Sequence, residues 1–85
     1  MILYGKLVLG TKVLKEASFE VIDENISFRD RLEECLIGLC KELDIPVPLW
    51  LKKNTKEFIH YRTTFFFREQ FVESIKFDKF EIRLS

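Results

Sequence analysis

The stretch Phe58-Ile59-His60-Tyr61-Arg62-Thr63-Thr64-Phe65-Phe66-Phe67 decides what kind of sheet this chain builds. Ile59, Tyr61, Thr63, Phe65 and Phe67 alternate with Phe58, His60, Arg62, Thr64 and Phe66, and the run is rich in β-branched and aromatic residues. That period and composition predict a strand. A helix running on to Tyr61 fits part of the same run, because Phe58 and Tyr61 also continue an apolar arc that begins at Trp50. In a strand, two rings of Phe65-Phe66-Phe67 point one way and the third the other, so at least one face needs a large cover.

Downstream, the chain from Phe67 or Arg68 to Ser74 reads as a short helical turn, with Phe67, Phe71 and Ile75 at spacing four. Lys76 to Leu84 then alternates: Phe80, Ile82 and Leu84 fall on one side, Lys79, Glu81 and Arg83 on the other. Upstream, Leu49 to Glu57 suits a helix whose first residue is Pro48, where the missing N–H costs nothing. On its wheel Lys52, Lys53 and Lys56 share an arc of about 100°, with Trp50 and Leu51 opposite. Ile45-Pro46-Val47-Pro48 is an extended connector, since residues before proline are pushed away from the helical region.

Earlier still, Phe28, Leu32, Cys35, Leu36, Leu39 and Leu43 form one continuous helical stripe. Ser27 followed by Asp30 is a capping signal at its start. Gly38 inside the stripe costs about 1 kcal/mol of helix propensity relative to Ala, which points to close packing against a sheet. Ile2 to Leu9 reads as a central strand buried on both faces, with Gly5 marking a close approach or a bulge. After a Gly10-Thr11-Lys12 turn, Val13 to Ile22 reads as a half-exposed strand with Val13, Ala17, Phe19 and Val21 on one face. Asp23-Glu24-Asn25 is a plain turn.

The expected architecture is a single α+β domain over residues 1–85: a mostly antiparallel sheet of three or four strands, order β-β-α-α-β-β, with one long amphipathic helix on one face. The other face is covered either by the middle segment or by a second copy of the chain.

Composition narrows the function. The chain has 85 residues, 47% of them hydrophobic, nine of them Phe, and Lys/Arg balance Asp/Glu at 14 each. A small core has limited room for so many rings, so an apolar surface for a partner is expected, with a homodimer first in line. Net neutrality removes the global electrostatic argument for nucleic acid or a membrane surface. Charge is nevertheless uneven, with six Lys/Arg against nine Asp/Glu up to Leu51 and eight against five from Lys52 onward. No leader-like start and no run of about 18 apolar residues is present, so a cytoplasmic location without a membrane span is expected.

Chemistry-bearing motifs are absent. His60 is the only histidine, so no H-E-x-x-H site forms; no C-x-x-C occurs; and Gly5, Gly10 and Gly38 build neither phosphate-loop pattern. Cys35 and Cys40 lie about 140° apart around a helix, which argues against a mutual disulfide and for buried thiols. No catalytic residue, cofactor or metal is therefore expected.

Two readings remain. The first is a non-enzymatic protein-interaction module that self-associates, or binds another protein, through aromatic surface between Trp50 and Phe71, with Trp50, Phe58 and Phe66 as candidates. The alternative is a small RNA or single-stranded nucleic-acid binder using Lys52, Lys53, Lys56, His60 and Arg62 beside exposed rings. Ile45-Pro46-Val47-Pro48-Leu49-Trp50-Leu51-Lys52-Lys53 and the closing Phe77-Asp78-Lys79-Phe80-Glu81-Ile82 resemble segments of short bacterial proteins with no assigned activity. That resemblance implies neither a site nor a substrate.

Overall fold

A computed structural model describes all 85 residues. The elements are β1 (Ile2–Leu9), β2 (Lys12–Glu20), α1 (Phe28–Leu43), α2 (Lys52–Tyr61), β3 (Thr63–Phe67), a 3₁₀ turn (Arg68–Gln70) and β4 (Lys79–Leu84). The strands form one four-stranded sheet in the order β2-β1-β4-β3, every neighbouring pair antiparallel. The fold is α+β, and both helices, rather than one long helix, cover the same face.

Register explains which face is covered. Leu3, Gly5 and Leu7 sit opposite Phe19, Ala17 and Lys15 on one side and Leu84, Ile82 and Phe80 on the other. Thr64 and Phe66 of β3 continue those rows beyond Ile82 and Phe80. On this face Leu3, Phe66, Phe80 and Ile82 are fully buried, and α1 adds Cys35, Leu36, Leu39, Cys40 and Leu43. Burial of this apolar area is the main stabilising term, at roughly 25 cal/mol per Å².

α1 starts as its sequence predicts, because the Asp30 N–H donates to Ser27 Oγ at 3.1 Å and satisfies one orphan donor of the first turn. It ends at Asp44, whose left-handed φ of 56° lets its N–H reach the carbonyls of Cys40 and Lys41. The stripe holds from Cys35 to Leu43, while Phe28 at the first turn is half exposed. Both internal glycines mark close approaches. A Cβ on Gly5 would lie 2.8 Å from Leu39 Cδ2 and 2.9 Å from Phe80 Cε1, and one on Gly38 would lie 2.5 Å from the Phe19 ring. Gly38→Ala should therefore destabilise by about 1–3 kcal/mol in urea titration, since overlap with Phe19 outweighs the propensity gain of about 1 kcal/mol. A gain in stability would show that Phe19 yields freely.

Several expectations change. β1 is central but not buried on both faces, because Tyr4 and Lys6 alternate outward between Leu3, Gly5 and Leu7. A bulge between Leu7 and Val8 pairs Val8 with Val13, which moves Val13 to the side opposite Ala17 and Phe19. α2 begins at Lys52 rather than Pro48: Leu51 is extended, and Asn54 Oδ1 accepts from the Leu51 N–H at 2.9 Å. Residues 58–67 are not one strand. Helix continues to Tyr61, Arg62 turns the chain at φ 57°, and the strand starts at Thr63. The turn expected up to Ser74 closes after Gln70.

Gly10, at φ 62°, occupies the first position of the two-residue β1–β2 loop, a conformation in which glycine avoids a Cβ clash. Its N–H donates to Asp78 Oδ2 at 2.6 Å, and Arg68 meets the other oxygen at 3.2 Å. The Gly10 N–H, followed by Arg68, holds the Asp78 carboxyl below the usual carboxylate range.

Candidate interaction face

The opposite side of the sheet has no cover. Pairing arranges it as a grid whose rows run across β2, β1, β4 and β3: Ser18, Tyr4, Arg83, Thr63; then Glu16, Lys6, Glu81, Phe65; then Val13, Val8, Lys79, Phe67. Ile2 and Glu20 extend it at one end. No residue of this grid is buried. Tyr4, Val13 and Phe67 are 40%, 46% and 38% exposed, well above a core residue and high enough for a partner to cover.

Each ring on this face carries a cation. Lys53 Nζ lies 4.7 Å from the Phe67 centroid, Lys79 Nζ 5.0 Å from Phe65, and the Arg83 guanidinium 5.5 Å from Tyr4. Attraction to the ring quadrupole is worth about 0.5–1 kcal/mol at such exposed sites. Phe65 and Phe67 stack along β3 at 6.4 Å. Lys6 reaches Glu16 at 3.7 Å. A depression of about 370 Å³ opens between Tyr4, Lys6, Glu16, Glu81 and Arg83, above the small residues Gly5 and Ala17.

The expected surface rings are elsewhere. Phe66 is 0% and Phe58 7% exposed, and Trp50 is half-buried between them, with centroids 5.6 Å from each. Phe58 and Phe66 are core residues, and Trp50 is their lid; its indole N–H donates to Thr55 Oγ1 at 2.8 Å. Pairing causes this, since the register that sets Thr64 beside Ile82 and Phe66 beside Phe80 directs Thr64 and Phe66 inward and Phe65 and Phe67 outward. Lys79, the partner of Phe65, and the Tyr4–Arg83 pair were missed, although the alternation of β4 already set Lys79 and Arg83 apart from Phe80 and Ile82.

Lys52, Lys53 and Lys56 are exposed on α2, as the helical wheel predicts. Lys53 joins that arc to the sheet face through Phe67. Arg62 is spent differently: its guanidinium donates to the Ser85 carbonyl at 2.9 Å. His60 is exposed in the last turn of α2, its ring 6.1 Å from Tyr61, and makes no side-chain hydrogen bond.

Beneath α2 lies a polar cluster that sequence reasoning missed. Asn54, Thr64 and Gln70 are at most 1% exposed. Asn54 Nδ2 donates to Thr64 Oγ1 at 2.8 Å and to the Phe65 carbonyl at 3.0 Å, while its Oδ1 accepts from Gln70 Nε2 and from the Leu51 N–H, each at 2.9 Å. The Thr64 hydroxyl donates to Glu57 Oε1 at 2.6 Å, and Gln70 Oε1 accepts from the Phe67 N–H at 3.1 Å. Two of these bonds use backbone groups of β3, the edge strand.

Cys35 and Cys40 are buried and free. Burial raises both thiols, Cys40 to about 12, so neither supplies a thiolate near neutral pH. No group of His, Cys, Asp and Glu is arranged to hold a metal ion, and no helix is long and apolar enough to cross a membrane. No protein-family model, curated protein or solved structure matches the chain.

Proposed function

We propose that this chain is a non-enzymatic protein-interaction module that self-associates through the open face of its sheet. The observation that carries this reading is the uneven cover: both helices lie on one side, leaving Tyr4, Phe65, Phe67, Val8 and Val13 on the other. The edges are poorer docking sites. On β3, Asn54 and Gln70 occupy the Phe65 carbonyl and the Phe67 N–H that an added strand would need. On β2, Met1 and Val21 exchange both backbone bonds, so by alternation Glu16, Ser18 and Glu20 direct their N–H and C=O outward. Antiparallel self-pairing centred on Glu16 or Ser18 sets glutamate against glutamate, which disfavours edge addition.

Four strands about 4.8 Å apart and about seven residues long give a flat area of roughly 400 Å² per partner, at the small, transient end of protein interfaces. Sedimentation from about 10 µM to about 1 mM should therefore show a concentration-dependent monomer–dimer equilibrium. Phe67→Glu should abolish it while leaving the circular dichroism spectrum intact. A monomer throughout that range would end this reading. The free thiols suit a reducing, cytoplasmic setting.

One observation favours the nucleic-acid reading: Lys53 makes the basic side of α2 continuous with the rings, which is the combination single-stranded nucleic acid uses. On the sheet itself Lys6, Lys79 and Arg83 are matched by Glu16, Glu20 and Glu81, and that balance supports a protein partner instead. Anisotropy with a mixed-sequence single-stranded RNA at low salt separates the two. Binding that falls steeply with salt and is lost on reversing Lys52, Lys53 and Lys56 would establish the second reading.

A further inference from the structure

Resting on the self-association reading, the geometry points to one arrangement of the two copies: their open faces stack about a two-fold axis parallel to the strands, lying above the gap between β1 and β4. Such an axis keeps each row in place and exchanges columns, so β1 of one copy lies over β4 of its partner and β2 over β3. Lys6 then faces Glu81 of the other chain and Tyr4 faces Arg83, each contact occurring twice. Val13 comes over Phe67, and Ser18 over Thr63.

This register follows from the charge pattern. Lys6 and Glu81 are direct neighbours in one row, as are Tyr4 and Arg83 in the next, so exchanging β1 with β4 converts each intrachain neighbour pair into an equivalent pair between chains. The Arg83 guanidinium, already 5.5 Å from its own Tyr4, would lie between two tyrosine rings. Apolar cover follows in part, because Val13, the only valine of β2, meets Phe67, the more exposed phenylalanine of β3, while Phe65 comes over Glu16 and Val8 over Lys79.

A two-fold across the strands between the Lys6–Glu81 and Val8–Lys79 rows would pair Phe65 with Phe67 and Glu81 with Lys79, but it carries Tyr4 and Arg83 past the last paired row; two other two-folds fit less well still. An axis across the strands centred on the Lys6–Glu81 row places Lys6 on Lys6, Glu81 on Glu81 and Glu16 on Glu16. Shifted between that row and the Tyr4–Arg83 row, it sets Val13 against Glu20 and leaves Phe67 unpartnered. Aligned packing, with strand directions within about 30°, is the ordinary geometry for stacked sheets and keeps the pairs beside the axis in contact.

The test has two arms on the full chain, each variant first checked by circular dichroism and thermal melting at a concentration where the protein is monomeric. In the first arm, Lys6→Glu and Glu81→Lys should each weaken dimerisation by about tenfold or more, and the double exchange should restore it to within about threefold. In the second arm, Val13→Cys and Phe67→Cys chains are mixed in equal amounts and treated with a short bis-maleimide able to bridge sheets about 10 Å apart. The cross-linked product should be the mixed dimer, with little product from either variant alone; the native thiols are buried and slow to react. A dimer that cross-links through like cysteines, or that the double exchange fails to restore, overturns this register and leaves self-association standing. Absence of any dimer in the unmodified chain overturns both.

Discussion

Phe66→Ala is expected to cost about 3–5 kcal/mol of folding free energy, the range for truncating a fully buried aromatic ring. The ring is 0% exposed, with centroids 5.6 Å from Trp50 and 5.7 Å from Phe80, so deletion leaves a cavity at the junction of α2 with the sheet. A domain of this size has a total stability of roughly 4–13 kcal/mol, so the loss would be a large part of it. Urea titration should show a lower midpoint with an unchanged slope. The folded fraction should still self-associate, because Phe66 lies on the face opposite the proposed interface. Normal stability with lost association would instead make Phe66 the interaction residue that its place in a triple-phenylalanine run first suggests.

Asn54→Ala should cost about 3 kcal/mol, although it removes a small polar side chain and little apolar area. All four hydrogen-bonding positions of the Asn54 amide are used, and deletion leaves the Leu51 N–H, the Phe65 carbonyl and one Gln70 donor without that partner, the Gln70 bond being buried and the other two part-buried. Unpaired groups there cost more than the net worth of the bonds they lose. Asn54→Asp should be comparably damaging, since a carboxylate cannot donate to Thr64 Oγ1 or to the Phe65 carbonyl. Combining Asn54→Ala with Gln70→Ala should cost clearly less than the two single losses together, because the residues share one network. Losses below about 1 kcal/mol for Asn54→Ala would mean that the cluster contributes little to stability. The variant also frees an edge carbonyl on β3, so increased aggregation of the folded protein is a second expected sign.

Neither the role of Phe66 nor that of Asn54 was legible in the sequence, whereas features with local signals were. The long helix was legible because its signals are local: a Ser27 cap, a 3.6-residue stripe and a termination near the first proline. The tight packing at Gly5 and Gly38 was legible because a glycine within an apolar strand or helix is unfavourable unless something approaches closely. The lysine arc was legible because Lys52, Lys53 and Lys56 fall together on any helical wheel. Asn54 and Gln70 were not, since each resembles an ordinary surface amide until the 3₁₀ turn and α2 are brought together sixteen residues apart in sequence.

The break at Arg62 was hidden for a related reason. An arginine in the left-handed region carries no sequence signal of the kind glycine supplies. It is held there by contacts with the end of β4, where Leu84 N–H donates to the Arg62 carbonyl at 2.8 Å and the guanidinium reaches Ser85. Those contacts decide that helix stops at Tyr61 and strand begins at Thr63. The apolar run in β1 concealed its alternation, because Tyr4 passes for a core residue until the sheet places it beside Arg83.

By itself the sequence determined the order of the elements, the capped helix, the buried thiols and the absence of recognisable catalytic motifs, all of which follow from residue type and short-range period. Only the tertiary structure decided that both helices share one face, that Phe66 points in while Phe65 and Phe67 point out, and that Tyr4, Lys79 and Arg83 join them. The reason is parity: a strand repeats every two residues, so shifting its pairing register by one exchanges core for surface. That register is set by pairing with β4 and by the turn at Arg62, and neither is a local property of Phe58 to Phe67.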